Sequence, residues 1–244
     1  MLFMPCEQNM QLSKIIIPSH TTTIYYVIMT NKIISIIVPC FNYAHFLAES
    51  IQSCLNQSYS AMEIIVINDG STDDTSAIAS QFPVKLIEQP NKGVASARNS
   101  GVAMAQGEWI LPLDADDVLH PNMLEKMCAV EDDIIGVGQQ QFGESNQVFA
   151  SQSIHPNLDE IKAINSLNYC SLYRRSMWEV LGGYDNEVNG CEDWDFWIRA
   201  IKKGYTATVI PDLLFFYRIH KNSLSKGSKF AESYKKVKQT EGNH

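Results

Sequence analysis

Three carboxylates fall within four residues at Asp114-Ala115-Asp116-Asp117, directly after the apolar run that ends at Leu113. Carboxylates this close repel one another, so a positive or strongly hydrogen-bonding partner must offset them. A divalent cation does so naturally, because Mg2+ or Mn2+ takes one or two carboxylates and completes its shell with phosphate and water. The structural alternative is that Asp116 and Asp117 cap a following helix while Asp114 is solvated. A second cluster, Asn68-Asp69-Gly70-Ser71-Thr72-Asp73-Asp74, puts Asp69 where a side chain meets a ligand's base or sugar edge, and Gly70 permits close approach. The same residues also make a turn followed by a helix start. Arg98, in a segment otherwise rich in Ala, Ser and Gly, either pairs with a carboxylate of these loops or faces a phosphate.

Glu192-Asp193-Trp194-Asp195 opens an amphipathic segment. Carboxylates in a first helical turn are stabilised by the helix dipole, and Asp195 is spaced to pair with Arg199, so a structural explanation is complete. Asp193, next to an apolar stripe that buries Trp194, is equally placed to take a proton from a substrate hydroxyl. Tyr217-Arg218-Ile219-His220 closes the last apolar run, where an imidazole can ligate a metal and an Arg can hold phosphate.

Positioning these groups requires alternating strands and helices. Residues 33–39 (IISIIVP), 63–68 (EIIVIN), 84–88 and 108–113 (EWILPL) read as buried strands. Helices are predicted over 46–57, after Asp73-Asp74, over 94–105, and from a first turn containing Pro121. This alternation implies right-handed crossovers and a mostly parallel sheet, flanked by helices, that binds ligands beyond the carboxyl ends of its strands. Those ends carry Asn42, Asp69, Asn91 and Asp114. Beyond residue 133 the pattern is less regular. A hairpin is expected from 134–141 and 147–150, short strands at 169–173, 206–210 and 213–219, and a helix end at Gly182-Gly183. Trp194, Trp197, Ile198 and Ile201 mark an amphipathic helix that Gly204 terminates.

The chain has 244 residues, 45% hydrophobic and 19% charged, which excludes a disordered polypeptide. A formal charge of −8 disfavours nucleic acid as a partner. Residues 221–244 run against this balance with six Lys and two Glu, so a Lys-rich tail over 226–244 either solubilises the chain or contacts an anionic lipid surface peripherally. The six cysteines are scattered without C-x-x-C spacing, as expected for reduced thiols in the cytoplasm. No run of 18 or more apolar residues is present. Residues 1–31 make a poor signal peptide, and Met29 is the expected physiological start.

In order along residues 33–225, the segments SIIVPCFNYAHFL, VINDGSTDDT, NKGVASARNSG, GEWILPLDADD, CEDWDFWIRAIKKG and YRIHKNSLS resemble family 2 glycosyltransferases of the GT-A fold. The resemblance implies one α/β catalytic domain over 32–225, with a smaller irregular acceptor-side region. It implies an inverting, non-processive, metal-dependent transfer from a nucleotide-sugar, by default a UDP-sugar, to a sugar or lipid-linked glycan acceptor in cell-surface polysaccharide synthesis. Pro39, Asn42, Asp69, Arg98 and Asp114 match donor-binding positions. Asp116 and His220 match metal positions for Mn2+ or Mg2+, and Asp193 matches the catalytic base with Glu192 beside it. No Q-x-x-R-W motif is present, which disfavours a processive synthase. A nucleotidyltransferase would need a Gly-rich basic loop where CFNYAHF stands, and an oxidoreductase a G-x-G-x-x-G. A non-catalytic nucleotide-sugar-binding module is the remaining alternative.

Overall fold

The computed structural model describes residues 11–13, 26–28, 32–149, 153–188, 190–221 and 234–237. The chain divides into two units, Met1–Lys32 and Ile33–His244. In the first, β1 (Gln11–Ser13) and β2 (Tyr26–Ile28) pair antiparallel. Met29 lies outside the described residues, and with it the expected internal start.

The second unit starts with β3 (Ile34–Cys40), buried at every position, as its unbroken apolar run requires of a central strand. Next come α1 (Ala44–Leu55), β4 (Met62–Asp69), α2 (Thr75–Ala79), β5 (Lys85–Gln89), α3 (Val94–Ala103) and β6 (Trp109–Pro112). These strands lie in the parallel order β5-β4-β3-β6, so the residues following β3, β4 and β6 open onto one edge. Alternate positions face opposite sides of the sheet. Ile36, Val38, Ile64 and Val66 join one apolar cluster with Leu47 and Ile51 of α1. Ile37, Ile65 and Ile67 join a second with Ala97 and Val102 of α3. Gly101 allows α3 to lie this close, since a Cβ there would fall 2.7 Å from Ile67 Cδ1 and against Ile37 Cγ2.

The second half is built differently. β7 (Val118–Leu119), α4 (Met123–Cys128), β8 (Ile134–Gly143), β9 (Val148–Phe149), α5 (Leu158–Ala163), β10 (Leu172–Arg174), α6 (Arg175–Leu181), α7 (Glu192–Lys202) and β11 (Ala207–Ile219) complete the described elements. β10 is three residues long and runs straight into α6, so it slots antiparallel between β6 and β8 with no crossover. β11 runs parallel to β8 and antiparallel to β7, while β9 folds back on β8 as the expected hairpin. The parallel pairing expected throughout is thus concentrated in the β5-β4-β3-β6 half, and the sheet beyond β6 is mixed.

Three expectations are corrected. The strands at 206–210 and 213–219 are one strand with register shifts between Ile210 and Phe215; Pro211, lacking an N–H, sits at the irregularity. Pro121 precedes α4, whose N-cap is Asn122, and does not occupy its first turn. α1 begins at Ala44, two residues before the predicted start, because Asp73 Oδ2 reaches across to accept from Ala44 N at 2.9 Å. The expected helix end is found: α6 stops at Gly182, whose φ of 74° is open to glycine.

Candidate active site

At the open edge of the parallel strands lies a cavity of about 430 Å3 lined by Pro39, Phe41, Tyr43, Asp69, Asp114 and Asp116, among others. Asp69 is 3% exposed; its Oδ1 accepts from Gln89 Nε2 at 2.7 Å and Lys92 N at 3.0 Å, and its Oδ2 accepts from Gly93 N at 2.9 Å. The carboxylate at the end of β4 therefore shapes the turn into α3 and presents that turn to the cavity. Gly70, at φ 75°, is packed so tightly on this turn that a Cβ would lie 2.6 Å from Asn91 N.

Asn42 does not line this cavity; its neighbours Phe41 and Tyr43 do. It adopts a left-handed backbone, φ 58°, and its Oδ1 accepts from Thr72 N at 2.8 Å. Its own N–H donates to Ser71 Oγ at 3.0 Å. It clamps the loop after β4 and so contributes to loop geometry beside the cavity.

The three clustered carboxylates have different surroundings. Asp117 is fully buried: Oδ1 accepts from Arg218 N at 2.6 Å, and Oδ2 accepts a short hydrogen bond from the Tyr169 hydroxyl. Burial pushes its pKa well above the usual carboxylate range, with Asp116 and Asp114 adding to the rise. Asp116 lies 2.9 Å from His220 Nε2 through Oδ2, while its carbonyl accepts from Arg218 Nε at 2.7 Å. Its pKa is also raised, first by burial and then by Asp114, with His220 opposing. The His220 ring packs on Tyr43 at 5.3 Å and Phe46 at 5.2 Å. Arg218 is held by Glu49 at 2.5 Å and lies over the rings of Phe46 and Phe142.

Asp114 faces Arg98, and this contact ties the two halves of the site together. Arg98, 2% exposed, donates from Nη2 to Asp114 Oδ1 at 2.7 Å and from Nη1 to Glu192 Oε1 at 2.5 Å. Its guanidinium also lies over the Tyr169 ring at 4.9 Å. Burial alone would lower its pKa, but Asp114 and Glu192 outweigh that and raise it well above the ordinary value. Of the two options open for Arg98, carboxylate pairing is the one this structure shows. Two polar hydrogens are already committed, and the Nε is buried without a partner.

Glu192 is consumed by structure: beyond Arg98, its Oε2 accepts from Gly190 N at 2.5 Å. Asp193, next along α7, points elsewhere. It lines a separate cavity of about 240 Å3 with Trp194 and Tyr234, and its Oδ2 accepts from Asn165 Nδ2 at 2.9 Å. Burial, reinforced by Glu192, pushes its pKa up to about 6, against the lowering influence of Arg98 and Asn165. The adjacent Asp195 pairs with Arg199 at 2.7 Å, and that Arg also caps the end of α6 through the Leu181 and Gly183 carbonyls. Thus Asp114, in the larger cavity, and Glu192, the neighbour of Asp193, are separated by a single guanidinium.

Residues 35–181 match the family Glycosyl transferase family 2. The chain belongs to glycosyl transferase family 2. Asp193 and His220 lie beyond the matched residues, so for them geometry carries the argument. Within this family's relatives, the glycosyltransferase EpsJ of Bacillus subtilis (strain 168) is 28% identical over 217 residues, covering 80% of this chain and 63% of EpsJ. The structure of S. aureus TarS 1-349 in complex with UDP-GlcNAc superposes with a TM-score of 0.73 at 20% identity, over 84% of this chain and 65% of that one. The mannosyltransferase PcManGT from Pyrobaculum calidifontis, in complex with GDP-Man and Mn2+, gives 0.62 at 20% identity, over 80% of this chain and 59% of that one. At these identities the likeness establishes a shared GT-A fold. The chain spans less than two thirds of each of these three proteins.

Among the described residues, no group of three or more His, Cys, Asp and Glu side chains converges as a metal cage. Asp116 and His220, 2.9 Å apart, offer the one or two protein ligands that a hard cation of the Mg2+ or Mn2+ kind takes when phosphate and water fill the rest of its shell. Asp116 is a desolvated carboxylate destabilised by its neighbour Asp114, which is the condition a cation relieves.

Sequence reasoning missed several contributors. Tyr169 bridges Asp117 and Asp114 through its hydroxyl, which accepts from Asp114 N at 3.1 Å, yet its segment reads only as a short strand. Asn165 lies in an irregular stretch without a motif. Tyr234 belongs to the Lys-rich tail, of which residues 234–237 form a helical turn whose Tyr234 ring packs 5.2 Å from Trp194.

Proposed function

We propose that the chain transfers a sugar from a nucleotide-diphosphate sugar, with uridine as the nucleoside, to an acceptor hydroxyl with inversion. The observation that carries this reading is the Asp114–Arg98–Glu192 tie, which fixes the cavity bearing Asp69, Asp114 and Asp116 relative to Asp193. Pro39, Phe41 and the turn shaped by Asp69 make the nucleoside end of that cavity. Asp116 and His220 would hold a divalent cation, which when bound neutralises charge on the diphosphate leaving group.

Asp193 is the base. Glu192 has both oxygens engaged, whereas Asp193 borders a cavity and keeps a pKa near working pH. Its carboxylate takes the acceptor hydroxyl proton, the hydroxyl oxygen bonds to the anomeric carbon, and the bond from that carbon to the phosphate oxygen breaks. One displacement inverts the configuration. Asn165, bonded to Asp193 Oδ2, fixes the carboxylate's orientation during this transfer.

This reading predicts that Asp116→Ala abolishes most of the Mn2+-dependent stabilisation by UDP-sugars. A thermal-shift titration with and without Mn2+ checks this: stabilisation follows free ligand relative to its dissociation constant, so a roughly tenfold weaker site gives a visibly smaller shift. An unchanged Mn2+-dependent shift would remove Asp116 from the metal site.

We place the catalytic domain at residues 32–225 and the enzyme in the cytoplasm, with a peripheral contact to the inner membrane face, in cell-surface glycan synthesis. Among the described residues no helix is long and apolar enough to cross a membrane. The Lys-rich tail, mostly outside the described residues, supplies the peripheral contact. Pelleting with anionic liposomes is expected to fall on removal of residues 226–244; equal pelleting of both forms would end that idea.

A further inference from the structure

A third cavity of about 690 Å3 adjoins the one that holds Asp193, and the two share Ala163, Ile164 and Asn165 in their walls. Its lining is chemically distinctive. Gln139 and Gln141, two residues apart on β8, stand on one face of the strand, and Asn165 and Asn168 face the same space. A primary amide offers two donors and an acceptor in one plane, which suits pairs of adjacent hydroxyls; Gln141 Oε1 already accepts from Ser145 Oγ at 2.5 Å and Asn165 Nδ2 donates to Asp193 Oδ2 at 2.9 Å, which leaves their other hydrogens and lone pairs for an occupant. Asn168 Nδ2 is fixed by the Val137 carbonyl at 2.9 Å, while its Oδ1 and the Ser166 Oγ are buried with no protein partner. Neither oxygen is open to solvent, so the polar contacts available to an occupant come from the amides of Gln139, Gln141 and Asn165.

Two further features narrow the occupant. Phe149 on β9 lines the cavity and is 50% exposed, leaving an apolar ring face available for the C–H side of a sugar ring. Among the described residues no Lys or Arg lines the cavity and the charged member is Glu160, so phosphate, sulfate and carboxylate groups are disfavoured there.

We propose that the trough running from Asp193 past Asn165 to Phe149 binds a neutral, hydroxyl-rich oligosaccharide as acceptor, with its terminal hydroxyl at Asp193. This deepens the proposed transferase reading and rests on it for the word acceptor; the trough's preference for neutral sugar stands on its own lining.

The test uses the full chain loaded with UDP and Mn2+ on an array of neutral, sulfated and uronate-bearing oligosaccharides. Phe149→Ala and Gln139→Ala are compared with the unsubstituted chain, and UDP-dependent thermal stabilisation is measured in parallel. Neutral oligosaccharides are expected to be retained, and each substitution to weaken them roughly tenfold while the UDP shift is unchanged. Three outcomes overturn the proposal: preference for anionic glycans, no neutral glycan retained by a chain that UDP still stabilises, or substituted chains that bind as the original does. Neutral glycan binding without any UDP shift would support the trough and count against the donor assignment instead.

Discussion

Asp193→Asn is expected to lower kcat by about 10²–10⁴-fold while leaving UDP-sugar binding nearly intact, because a positioned base acts on the chemical step and Asp193 does not line the donor cavity. The pH profile gives a second readout. With a pKa of about 6 the unsubstituted enzyme should lose activity as pH falls through 6, and the residual activity of the Asn form should lack that limb.

Stability should move the other way. A carboxyl whose folded pKa is raised prefers to be protonated in the fold, so ionising it above its unfolded value destabilises the protein, fully so above pH 6 or thereabouts. A rise from 3.8 to about 6 corresponds to at most about 3 kcal/mol. The Asn form carries no such penalty, so its Tm at pH 8 should exceed that of the original by on the order of 5 °C, with the difference shrinking by pH 4.5. Near-normal turnover in Asp193→Asn would remove it as the base; an unchanged Tm at pH 8 would mean the carboxylate is better solvated than its surroundings imply.

Arg98→Met should be the most damaging single change to the fold. It leaves Asp114 and Glu192 facing each other's former partner with no cation between them, and breaking a buried pair from one side costs about 3–5 kcal/mol. For a domain of this size the Tm should fall by roughly 10 °C. Loss of the guanidinium also removes the group that holds the Asp193 pKa down, so the acid limb should shift above pH 6. Adding Glu192→Met should recover part of the stability, because it removes one of the two stranded carboxylates. A single Arg98→Met chain as stable as the original would show that the tie carries no load.

What the sequence discloses here depends on how local each signal is. β3, β4 and β6 announce themselves because both faces are buried, and α7 because its Trp and Ile residues recur at helical spacing. The clustering of Asp114, Asp116 and Asp193 near strand and helix ends is visible for the same reason. The partners of these groups are not local. Arg98 reaches Glu192 across 94 positions, and Tyr169 reaches Asp117 across 52, with no spacing rule to reveal either. Asn42 holds Thr72 across 30 positions from a left-handed backbone that Asn tolerates, and neither feature follows a spacing rule. The amide-lined trough is assembled from β8, β9 and α5 with the loop after it, none of which carries a motif. The antiparallel placement of β10 is illegible in the sequence because a three-residue strand carries too little pattern to reveal its direction.

The fastening of the acidic loop by Arg218 of β11 and the following His220 bears on when, during synthesis, that loop is completed. Arg218 N bonds Asp117, Arg218 Nε bonds the Asp116 carbonyl and His220 bonds the Asp116 carboxylate, over separations of 101, 102 and 104 residues. Such long loops close late relative to helices and neighbouring strands. A nascent chain emerging from the ribosome can therefore pack β3, β4, β5 and β6 and still lack the finished cavity wall at Asp114 and Asp116 until Arg218 and His220 have emerged.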